Sequence, residues 1–470
     1  MKTLMYTHNL DKINGGVTFA LKTRAEVLAN EKFDVHIITH GFSINEQLET
    51  KEYKVTNIYD FYSQSKGQAL GEEIIFFQDE ILYKDKTRAN CFRVFSKGEY
   101  KQYRKYKSNG ELISIDSFSV PWNRNKKYLF KDGQLVKIFY MDSNNKPKLA
   151  KYIKYNNCYI TSVVDSNNWQ DKVVYNHANN EEHKLYDFKF NFLKRYIEKY
   201  KIDIIFIDKR EDIEFFLKLQ SIIPVLKLIF VLHSNHYADY KREQGIHPSL
   251  NHLFNNIEKF HQIIILTKEQ KNKIVEKVGY ENKFSVVSNI IDYDNLINQS
   301  KTRKKLISIG RYESVKNMTE IIEVFNLVAQ KIPNVELNLY GYGKEKEKLL
   351  SLSKGKNITI HNFVENPKDI MQNASAFLFT SEYEGQSLVL LECYDAQCPV
   401  FSYPVRFGVK DTIKNYENGI VLDKRDKKKM AKQIISYIKE EYSFKFEKKA
   451  SEIFSKERYV KQLMVIFNEN

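Results

Sequence analysis

Short apolar runs alternate with amphipathic helical patterns along two parts of the chain, and this alternation restricts the fold more than any other feature. Lys2 to Thr7 has the pattern of a strand, "HNLDKINGGVTFALKTRAEVLAN" that of a glycine-containing loop and a helix, and "FDVHIIT" that of a second strand. A strand, a helix and another strand predict a βαβ unit with a parallel sheet. The alternation resumes from "DFKFNFLKRYIEKY" to "QIIILTKEQKNKIVEKVG", so both stretches are expected to complete one doubly wound domain.

A second α/β series follows a connector that ends in the basic run "KTRKK". Between "KLISIGR" and "CPVFSYPV", strand patterns again alternate with helical ones. In open parallel sheets, ligands bind at the carboxyl ends of the strands. We therefore expect an α/β protein in which two doubly wound, Rossmann-like domains face a cleft.

The middle of the chain, residues 78–184, has a different pattern. Aromatic and β-branched runs are separated by Asn109-Gly110, Asp132-Gly133 and Asn144-Asn145, which are hairpin turn signals. This pattern predicts an antiparallel β-rich insertion in the first domain. Its aromatic residues could simply form a small core of their own, but a sheet of this size also leaves edges that favour self-association.

Composition excludes several classes of protein. The 470 residues are 42% hydrophobic, which is enough for folded cores. Lys and Arg number 74 against 59 for Asp and Glu, and the net charge of +15 favours polyanionic partners. The four cysteines are too scattered for a disulfide framework, and no segment has the pattern of a signal peptide or a membrane span. We expect a cytoplasmic protein, with association at the inner membrane face as a further expectation.

Basic runs do not by themselves indicate nucleic-acid binding. We interpret "KQYRKYK", "KTRKK" and "KRDKKK" as solvated faces, because no recognition motif of defined geometry accompanies them. No nucleic-acid partner is therefore expected.

Two cations lie just past a predicted strand in "SIGRYESVKN". Arg311 and Lys316 precede a helix, and a planar guanidinium with a point-charge ammonium is suited to clamp a diphosphate. Two solvated surface cations are the alternative interpretation. Tyr340 and Gly341 end the next strand in a Gly-x-Gly turn, which is a weak signal for a ligand-binding loop.

Two glutamates bracket an apolar run in "SEYEGQSLVLLECYDA". Glu384 lies in the loop after a predicted strand, and Glu392 lies on a helix that begins near Gln386 and includes Ser387 and Leu388. A carboxylate beside an apolar run needs water or a partner. Glu392 is suited to accept hydrogen bonds from the two hydroxyls of a ribose. Glu384 is suited to hold sugar hydroxyls or to stabilise positive charge at an anomeric carbon.

Four elements in this order resemble the retaining nucleotide-sugar glycosyltransferases of the GT-B fold, family four. The elements are Gly15-Gly16 in the first βα loop, Arg311, Lys316 and the pair Glu384-x7-Glu392. The resemblance implies that the backbone of the glycine pair approaches a donor diphosphate. It also implies that a histidine after a first-domain strand touches the donor sugar, and "FVLHSNHYADY" offers His233, which we prefer, or His236 as the alternative.

The resemblance further implies transfer of an α-linked sugar to a hydroxyl with retention and without a metal, because the two cations would neutralise the leaving diphosphate. The expected catalytic residues are His233, Arg311, Lys316 and Glu384. The expected donor-binding residues are Gly15, Gly16, Arg311, Lys316, Tyr340, Gly341, Gln386, Ser387, Leu388 and Glu392. A DxD sequence, Asp292-Tyr293-Asp294, lies in the connector and not at a strand end of the second domain, so it is a weak sign of a metal.

A closer resemblance is carried by the β insertion together with "INGGVTFALKTRAE", "IIILTKEQ", "VVSNII", "SEYEGQSLVLLE" and "PVRFGVKD". These segments resemble the wall teichoic acid α-glycosyltransferases of Gram-positive bacteria, which decorate poly(glycerol phosphate) or poly(ribitol phosphate) and whose β-rich domain can assemble trimers. The resemblance implies UDP-glucose or UDP-N-acetylglucosamine as the donor substrate, a polyanionic acceptor, most simply poly(glycerol phosphate), no further cofactor, and a homotrimer. Residues 407–411 depart from the Gly-Pro-Ser-Asp-like segment usual in the ribitol type.

Two other functions stay open. Similar cytoplasmic enzymes add N-acetylglucosamine to Ser/Thr-rich adhesins, and such a peptide acceptor would bind with less dependence on salt than a phosphate polymer. An inactive relative that binds glycans is the alternative of another class. The predicted domains are an acceptor domain of residues 1–77 and 185–290 joined by the final helix 456–470, the insertion 78–184 as a candidate oligomerisation domain, and a nucleotide-sugar domain of residues 291–455.

Overall fold

Parallel strands form where the N-terminal alternation predicts them. Strands Lys2–Thr7, Asp34–Thr39 and Lys54–Asn57 pair in parallel, and helix Ile58–Tyr62 follows the third strand. Asn57 caps this helix, because its side chain accepts hydrogen bonds from the backbone of the first turn. The βαβ interpretation of this region is confirmed.

The computed structural model describes residues 1–10, 15–43, 52–63, 67–71, 76–120, 122–290, 304–446 and 454–468. The chain groups into two units, the first made of Met1–Asp11 and Asp34–Asp203, the second of Lys12–Phe33 and Ile204–Asn470. The sequence Asp292-Tyr293-Asp294 lies outside the described residues. Within them, no helix combines the length and the apolar character that crossing a membrane requires.

An antiparallel sheet of 11 strands makes up most of the first unit. The short strand Gln68–Ala69 pairs with strand Asn157–Val164. Each of the other strands pairs with the ones among them that come directly before and after it in the sequence. The strands are Ile81–Lys84, Cys91–Ser96, Glu99–Tyr106, Leu112–Val120, Asn123–Lys131, Gln134–Met141, Pro147–Lys154, Asn157–Val164, Asp171–Asn176 and Glu181–Lys184, and helix Leu185–Tyr200 follows. Asp132 and Gly133 have φ of 50° and 73°, the left-handed values that tight hairpin turns require. The predicted β insertion is confirmed.

A buried lysine forms part of a polar cluster in the first unit. Lys137 Nζ donates to Tyr152 Oη at 2.6 Å, and Tyr152 Oη in turn donates to Asp171 at 2.6 Å. Tyr59, on helix Ile58–Tyr62, donates to the same carboxylate at 2.6 Å, and its ring stacks on Tyr152 with centroids 4.4 Å apart. The cluster therefore attaches that helix to the sheet. Burial, only partly offset by Asp171, lowers the pKa of Lys137 to about 8.

The second unit begins with four strands that pair in parallel. They are Ile204–Ile207, Lys227–Leu232, Gln262–Ile265 and Phe284–Val286, in that spatial order. The same part contains helices Gly16–Asn30, Ile213–Ile222, Asn251–Phe254 and Lys268–Val278, the two-stranded hairpin Tyr237–Asp239 with Gln244–Ile246, and the final helix Lys456–Asn468. Phe467 on the final helix packs against Phe33, with ring centroids 4.8 Å apart.

A six-stranded parallel sheet forms the C-terminal part of the second unit. Its spatial order is Ile358–His361, Glu336–Tyr340, Lys305–Ile309, Ala376–Phe379, Val400–Ser402 and Gly419–Val421. Its helices are Met318–Ala329, Lys346–Ser353, Lys368–Gln372, Leu388–Asp395, Val409–Thr412 and Lys427–Ile438. Strand Lys305–Ile309 is the first of these strands along the chain, but it lies inside the sheet. Its two neighbours, Glu336–Tyr340 and Ala376–Phe379, both come later in the sequence and lie on opposite sides of it. Open α/β sheets bind ligands at such a switch point, and the predicted second doubly wound sheet is confirmed.

We expect Lys137→Met to change how stability depends on pH. The pKa of Lys137 is about 8 in the folded chain and 10.5 as its ordinary value, so between these pH values the unfolded chain binds a proton that the folded chain lacks. Lys137 therefore makes the unfolding free energy of the wild type rise with pH across this window, by roughly 3 kcal/mol. Urea unfolding from pH 7.5 to 10 measures the difference between wild type and variant, and a difference that stays constant with pH would contradict the assignment.

Candidate active site

Lys316 and Glu384 meet at the switch point of the C-terminal sheet. Lys316 ends the short 3-10 turn Ser314–Lys316, which follows strand Lys305–Ile309, and Glu384 follows the neighbouring strand Ala376–Phe379. Their Nζ and Oε1 atoms are 2.6 Å apart, and the two side chains are only 20% and 14% exposed. Two of the predicted catalytic residues are therefore brought together as a half-buried ion pair. Each charge has the other as its partner in the structure without a ligand.

A second layer of polar contacts holds the two loops that carry this pair. The backbone N–H of Glu382 donates to the carbonyl of Val315 at 2.8 Å, and Thr380 Oγ1 donates to the carbonyl of Lys316 at 3.1 Å. Arg425 donates to the carbonyls of Thr380 and Ser381 at 3.2 and 2.6 Å. Arg425 belongs to the run "KRDKKK" and is exposed, as the interpretation of that run as a solvated face predicts, and its guanidinium in addition holds this loop.

Arg311 lies in a loop whose backbone is fixed while its side chain stays exposed. Tyr312 N–H, next to it, donates to the carbonyl of Tyr342 at 2.7 Å. A Cβ at Gly341 would stand 1.9 Å from the carbonyl oxygen of Gly310, which no side chain can tolerate. The Gly-x-Gly turn is thus explained by the close approach of two loops. Among the described residues, none forms an ion pair with Arg311, so its guanidinium is available to an anion.

Tyr340 directly precedes Gly341, the first residue of the Gly-x-Gly turn. Its ring stacks on His361 with centroids 4.3 Å apart and an interplanar angle of 7°, and burial raises its pKa. One face of the ring is therefore occupied by the protein. Its predicted contact with a donor stays a prediction.

His233 follows strand Lys227–Leu232 and is held by a buried carboxylate that the sequence analysis did not identify. His233 Nε2 lies 2.7 Å from Asp208 Oδ1, and Arg24 Nη2 lies 2.5 Å from the other oxygen, Oδ2. Burial acts to raise the pKa of Asp208, but the Arg24 guanidinium and the hydrogen bond from His233 outweigh it and lower the pKa to about 2. Asp208 is therefore an anion throughout the physiological pH range.

His236, the alternative histidine, is fully buried. Its ring stacks on Phe407 with centroids 5.6 Å apart, and neither ring nitrogen has a hydrogen-bond partner among the described residues. Burial lowers its pKa to about 4, so the ring is neutral at pH 7. Phe407 is the first residue of segment 407–411, where the sequence departs from the ribitol-type segment. Its side chain is buried and packs against His236. Of the two histidines, His233 is the one whose side chain reaches solvent, being 11% exposed.

The loop after Glu384 lies directly against His233. A Cβ at Gly385 would stand 2.4 Å from the carbonyl oxygen of His233, so this approach requires a glycine. Gln386 Oε1 accepts a hydrogen bond from the backbone N–H of Asn289 at 2.7 Å. The Glu384 loop and the histidine loop are therefore held as neighbours within the second unit.

The helix after this loop faces the glycine pair. It is Leu388–Asp395, and thus begins two residues later than predicted, with Ser387 as its N-terminal cap position. A Cβ at Gly16 would stand 3.2 Å from Leu388 Cδ1, which places the start of helix Gly16–Asn30 beside the start of helix Leu388–Asp395. Residues four apart share a helix face, so Glu392 lies on the face of Leu388 that approaches Gly16.

An arginine in the next loop joins the C-terminal part of the second unit to its first part. Arg406 donates through Nε and Nη2 to the two carboxylate oxygens of Glu243, at 2.6 and 2.8 Å, and through Nη1 to Glu269. Such a bidentate pair fixes both the distance and the orientation of the two side chains.

In the part of the chain that the structure describes, no three His, Cys, Asp or Glu side chains are grouped as metal ligands.

Comparisons with known proteins show what the chain is similar to. Residues 290–456 match the family described as "Glycosyl transferases group 1". A poly(glycerol-phosphate) alpha-glucosyltransferase of Bacillus subtilis is 24% identical over 97% of this chain and 73% of its own. A poly(ribitol-phosphate) alpha-N-acetylglucosaminyltransferase of Staphylococcus aureus is 22% identical over 99% of both chains. The crystal structure of an S. aureus TarM mutant with fondaparinux, alpha-GlcNAc-glycerol and UDP is similar over 100% of both chains, with a TM-score of 0.80 and 21% identity. The chain therefore has the fold of that structure.

We expect Gly385→Ala to destabilise the second unit, because the new Cβ would overlap the His233 carbonyl. The expected loss of unfolding free energy is about 2 kcal/mol. Gly15→Ala is the matched control, since its Cβ would meet no described atom within 4 Å and its φ of −73° suits any residue. Denaturant unfolding of the two variants measures the difference, and equal stability would mean that the two loops do not approach as closely as described.

Proposed function

We propose that the protein transfers a sugar from a UDP-sugar to wall teichoic acid, starting from the match of residues 290–456 to the glycosyl transferases group 1 family. The sugar is an α-linked glucose or N-acetylglucosamine, transferred with retention, and the acceptor is most simply poly(glycerol phosphate). The observation that carries the proposal is the Lys316–Glu384 pair at the switch point of the sheet, next to the exposed Arg311. The extent of the similarity to the B. subtilis and S. aureus enzymes supports the choice of acceptor.

In the proposed reaction the ion pair opens when the donor binds. Lys316 and Arg311 would then contact the diphosphate and neutralise the charge that develops as it leaves. This is the task of a metal in other folds, so we propose that no metal is needed. Glu384, released from Lys316, would hold hydroxyls of the sugar or stabilise positive charge at its anomeric carbon, and the leaving phosphate would take the proton of the acceptor hydroxyl.

The remaining predicted residues would bind and orient the donor. Glu392 lies on the helix face that approaches Gly16, where a carboxylate can accept hydrogen bonds from both ribose hydroxyls. The backbone of Gly15 and Gly16 would approach the diphosphate at the N-terminus of helix Gly16–Asn30, where unpaired N–H groups favour an anion. His233 would contact the sugar.

The charge of the chain suits the proposed acceptor. A net charge of +15 favours a phosphate polymer, because neutralising its charges releases condensed counterions. Binding of such a polymer should therefore weaken steeply as salt rises, whereas binding of a Ser/Thr-rich peptide should depend less on salt. We propose that the reaction takes place in the cytoplasm at the inner membrane face, where a UDP-sugar and a growing wall polymer can meet.

Transfer assays with UDP-glucose and UDP-N-acetylglucosamine, each offered poly(glycerol phosphate), poly(ribitol phosphate) and a Ser/Thr-rich peptide with a chelator present, test the proposal. We expect transfer to one phosphate polymer.

Lys316→Ala and Glu384→Ala should each lower kcat by at least about 100-fold, since both residues would act on the reacting complex. Lys429→Ala is the matched control, because Lys429 forms an exposed ion pair with Asp423 in the same part of the unit and should retain activity. Transfer only to peptide would support the adhesin-modifying alternative, and no turnover would support the glycan-binding one.

We propose further that the insertion assembles copies of this chain, as a homotrimer. Strand Ile81–Lys84 lies at the edge of the 11-stranded sheet and is exposed along its whole length. Ile81 and Tyr83 on this strand and Trp122 nearby are exposed large apolar side chains. The Tyr100 ring joins the Phe95 and Trp122 rings, with centroids 5.4 and 5.5 Å away. An apolar edge of this kind is suited to pairing with a second copy.

Sedimentation velocity tests the assembly. The wild type should sediment as a trimer, and the double variant Ile81→Lys with Tyr83→Lys as a monomer, because charge at an edge strand opposes pairing. Val225→Lys replaces another highly exposed apolar residue, in the second unit, and should leave the trimer intact. A monomeric wild type, or a double variant that still forms trimers, would contradict this proposal.

A further inference from the structure

We propose that Asp208 is the positioning residue that sets the tautomer of His233, so that Nδ1 is the ring nitrogen that meets the sugar and acts as a hydrogen-bond acceptor. The inference rests on the proposed function, in which His233 contacts the donor sugar. It adds a residue that neither the motifs nor the family match identifies.

The two residues come from neighbouring strands. Asp208 directly follows strand Ile204–Ile207 and His233 directly follows strand Lys227–Leu232, and the strands pair in parallel with Ile207 opposite Phe230. Both side chains therefore leave the sheet at the same edge. Asp208 is 1% exposed, and its Oδ1 lies 2.7 Å from His233 Nε2, which is a normal hydrogen-bond distance.

The carboxylate can only accept. Its second oxygen, Oδ2, is held by Arg24 at 2.5 Å, and the Arg24 side chain is itself 2% exposed. Among the described residues, Tyr459 of the final helix is a further titratable group near Asp208 and Arg24, and burial raises its pKa to about 12, so its phenol stays protonated. An ionised carboxylate has no proton to donate, so the imidazole nitrogen that faces it must carry the hydrogen. In its neutral form the ring of His233 is thereby fixed as the Nε2–H tautomer, with a lone pair on Nδ1.

The backbone of His233 is fixed from the other side. Gly385 packs against its carbonyl group, where even a Cβ would stand only 2.4 Å from the oxygen. The ring is thus oriented by Asp208 and the main chain by the loop that carries Glu384. With Nε2 occupied, Nδ1 is the ring nitrogen left for a ligand, and a lone pair there accepts a hydrogen bond from a sugar hydroxyl.

Asp208→Asn inverts this arrangement with little change in volume. The new amide has one acceptor and one donor group. Arg24 can only donate, so it selects the amide oxygen, and the NH2 group then faces His233. A donor opposite Nε2 forces the proton onto Nδ1, and a sugar hydroxyl would meet an N–H donor in place of an acceptor.

The test combines kinetics and NMR on the full chain. Four forms are compared: wild type, Asp208→Asn, His233→Ala and the double variant, using the donor and acceptor pair that the wild type turns over. Asp171→Asn is the control, because Asp171 is also a buried carboxylate with several hydrogen-bond donors but lies in the insertion sheet, away from any histidine contact. Nitrogen-15 spectra of labelled histidine report which ring nitrogen is protonated, and the His233→Ala spectrum identifies the His233 signals.

We expect Asp208→Asn to lower kcat by about 100-fold with KM for the UDP-sugar changed less than about threefold, as expected when a catalytic imidazole is held in the wrong tautomer. The double variant should be no worse than His233→Ala, because the two residues act as one unit. The His233 spectrum should change from Nε2–H to Nδ1–H. Asp171→Asn should keep the wild-type kcat even where its Tm falls.

Several outcomes would overturn the inference. A wild-type kcat in Asp208→Asn, an unchanged tautomer, or losses that multiply in the double variant would each show that Asp208 does not act through His233. If the wild type transfers no sugar to any acceptor, the proposed function fails, and the spectra alone still decide whether Asp208 sets the tautomer. If kcat falls as much in Asp171→Asn as in Asp208→Asn, the loss of activity in Asp208→Asn is explained by destabilisation of the protein, and the inference fails.

Discussion

One close contact, between the loop that carries Glu384 and the carbonyl group of His233, determines the arrangement of the candidate site. It exists because residue 385 has no side chain, and a single added carbon would stand 2.4 Å from that oxygen. Glu384 is paired with Lys316, and His233 with Asp208. Fixing the two loops against each other therefore fixes a cation, two carboxylates and an imidazole together. The two loops follow strands of different sheets, so without this contact these groups would be free to move independently.

The charges in this region follow from the cost of burial. A half-buried charge requires a partner, and Lys316, Asp208 and Arg406 each have one or two. Arg311 is exposed and needs none. An anion that binds here could contact the exposed guanidinium of Arg311 directly. It could contact the ammonium of Lys316 only after Lys316 separates from Glu384. In the proposed reaction, binding the diphosphate and freeing Glu384 would then be a single event, so the carboxylate would become available only when the donor is bound.

The sequence predicts much of the fold because period-2 and helical patterns are local. The hairpin turns at Asp132-Gly133 and the strand ends that carry Arg311, Lys316 and His233 are found in this way. It does not predict the pairs of Asp208 with Arg24 or of Arg406 with Glu243, whose partners are far apart along the chain and leave no local pattern. Nor does the sequence predict that Arg425, exposed within its basic run, also donates to the carbonyls of Thr380 and Ser381, because these partners are distant along the chain too. The helix predicted to begin near Gln386 begins two residues later, at Leu388, because the backbone of Ser387 is still extended, which a residue pattern does not reveal.

The antiparallel insertion also bears on how the chain folds. Almost every pairing in its sheet joins strands that are consecutive in sequence, so each hairpin closes only a short loop. The parallel sheets instead need a crossover before any two strands can meet. Contacts at small sequence separation form sooner, because less chain entropy is lost before they are made. The insertion is complete by residue 184, so a ribosome makes all of its strands before it makes the residues of the second unit's parallel sheets. The insertion is then the part of the chain with the earliest opportunity to become ordered. It would present its apolar edge to other nascent copies while the rest of the second unit is still being synthesised.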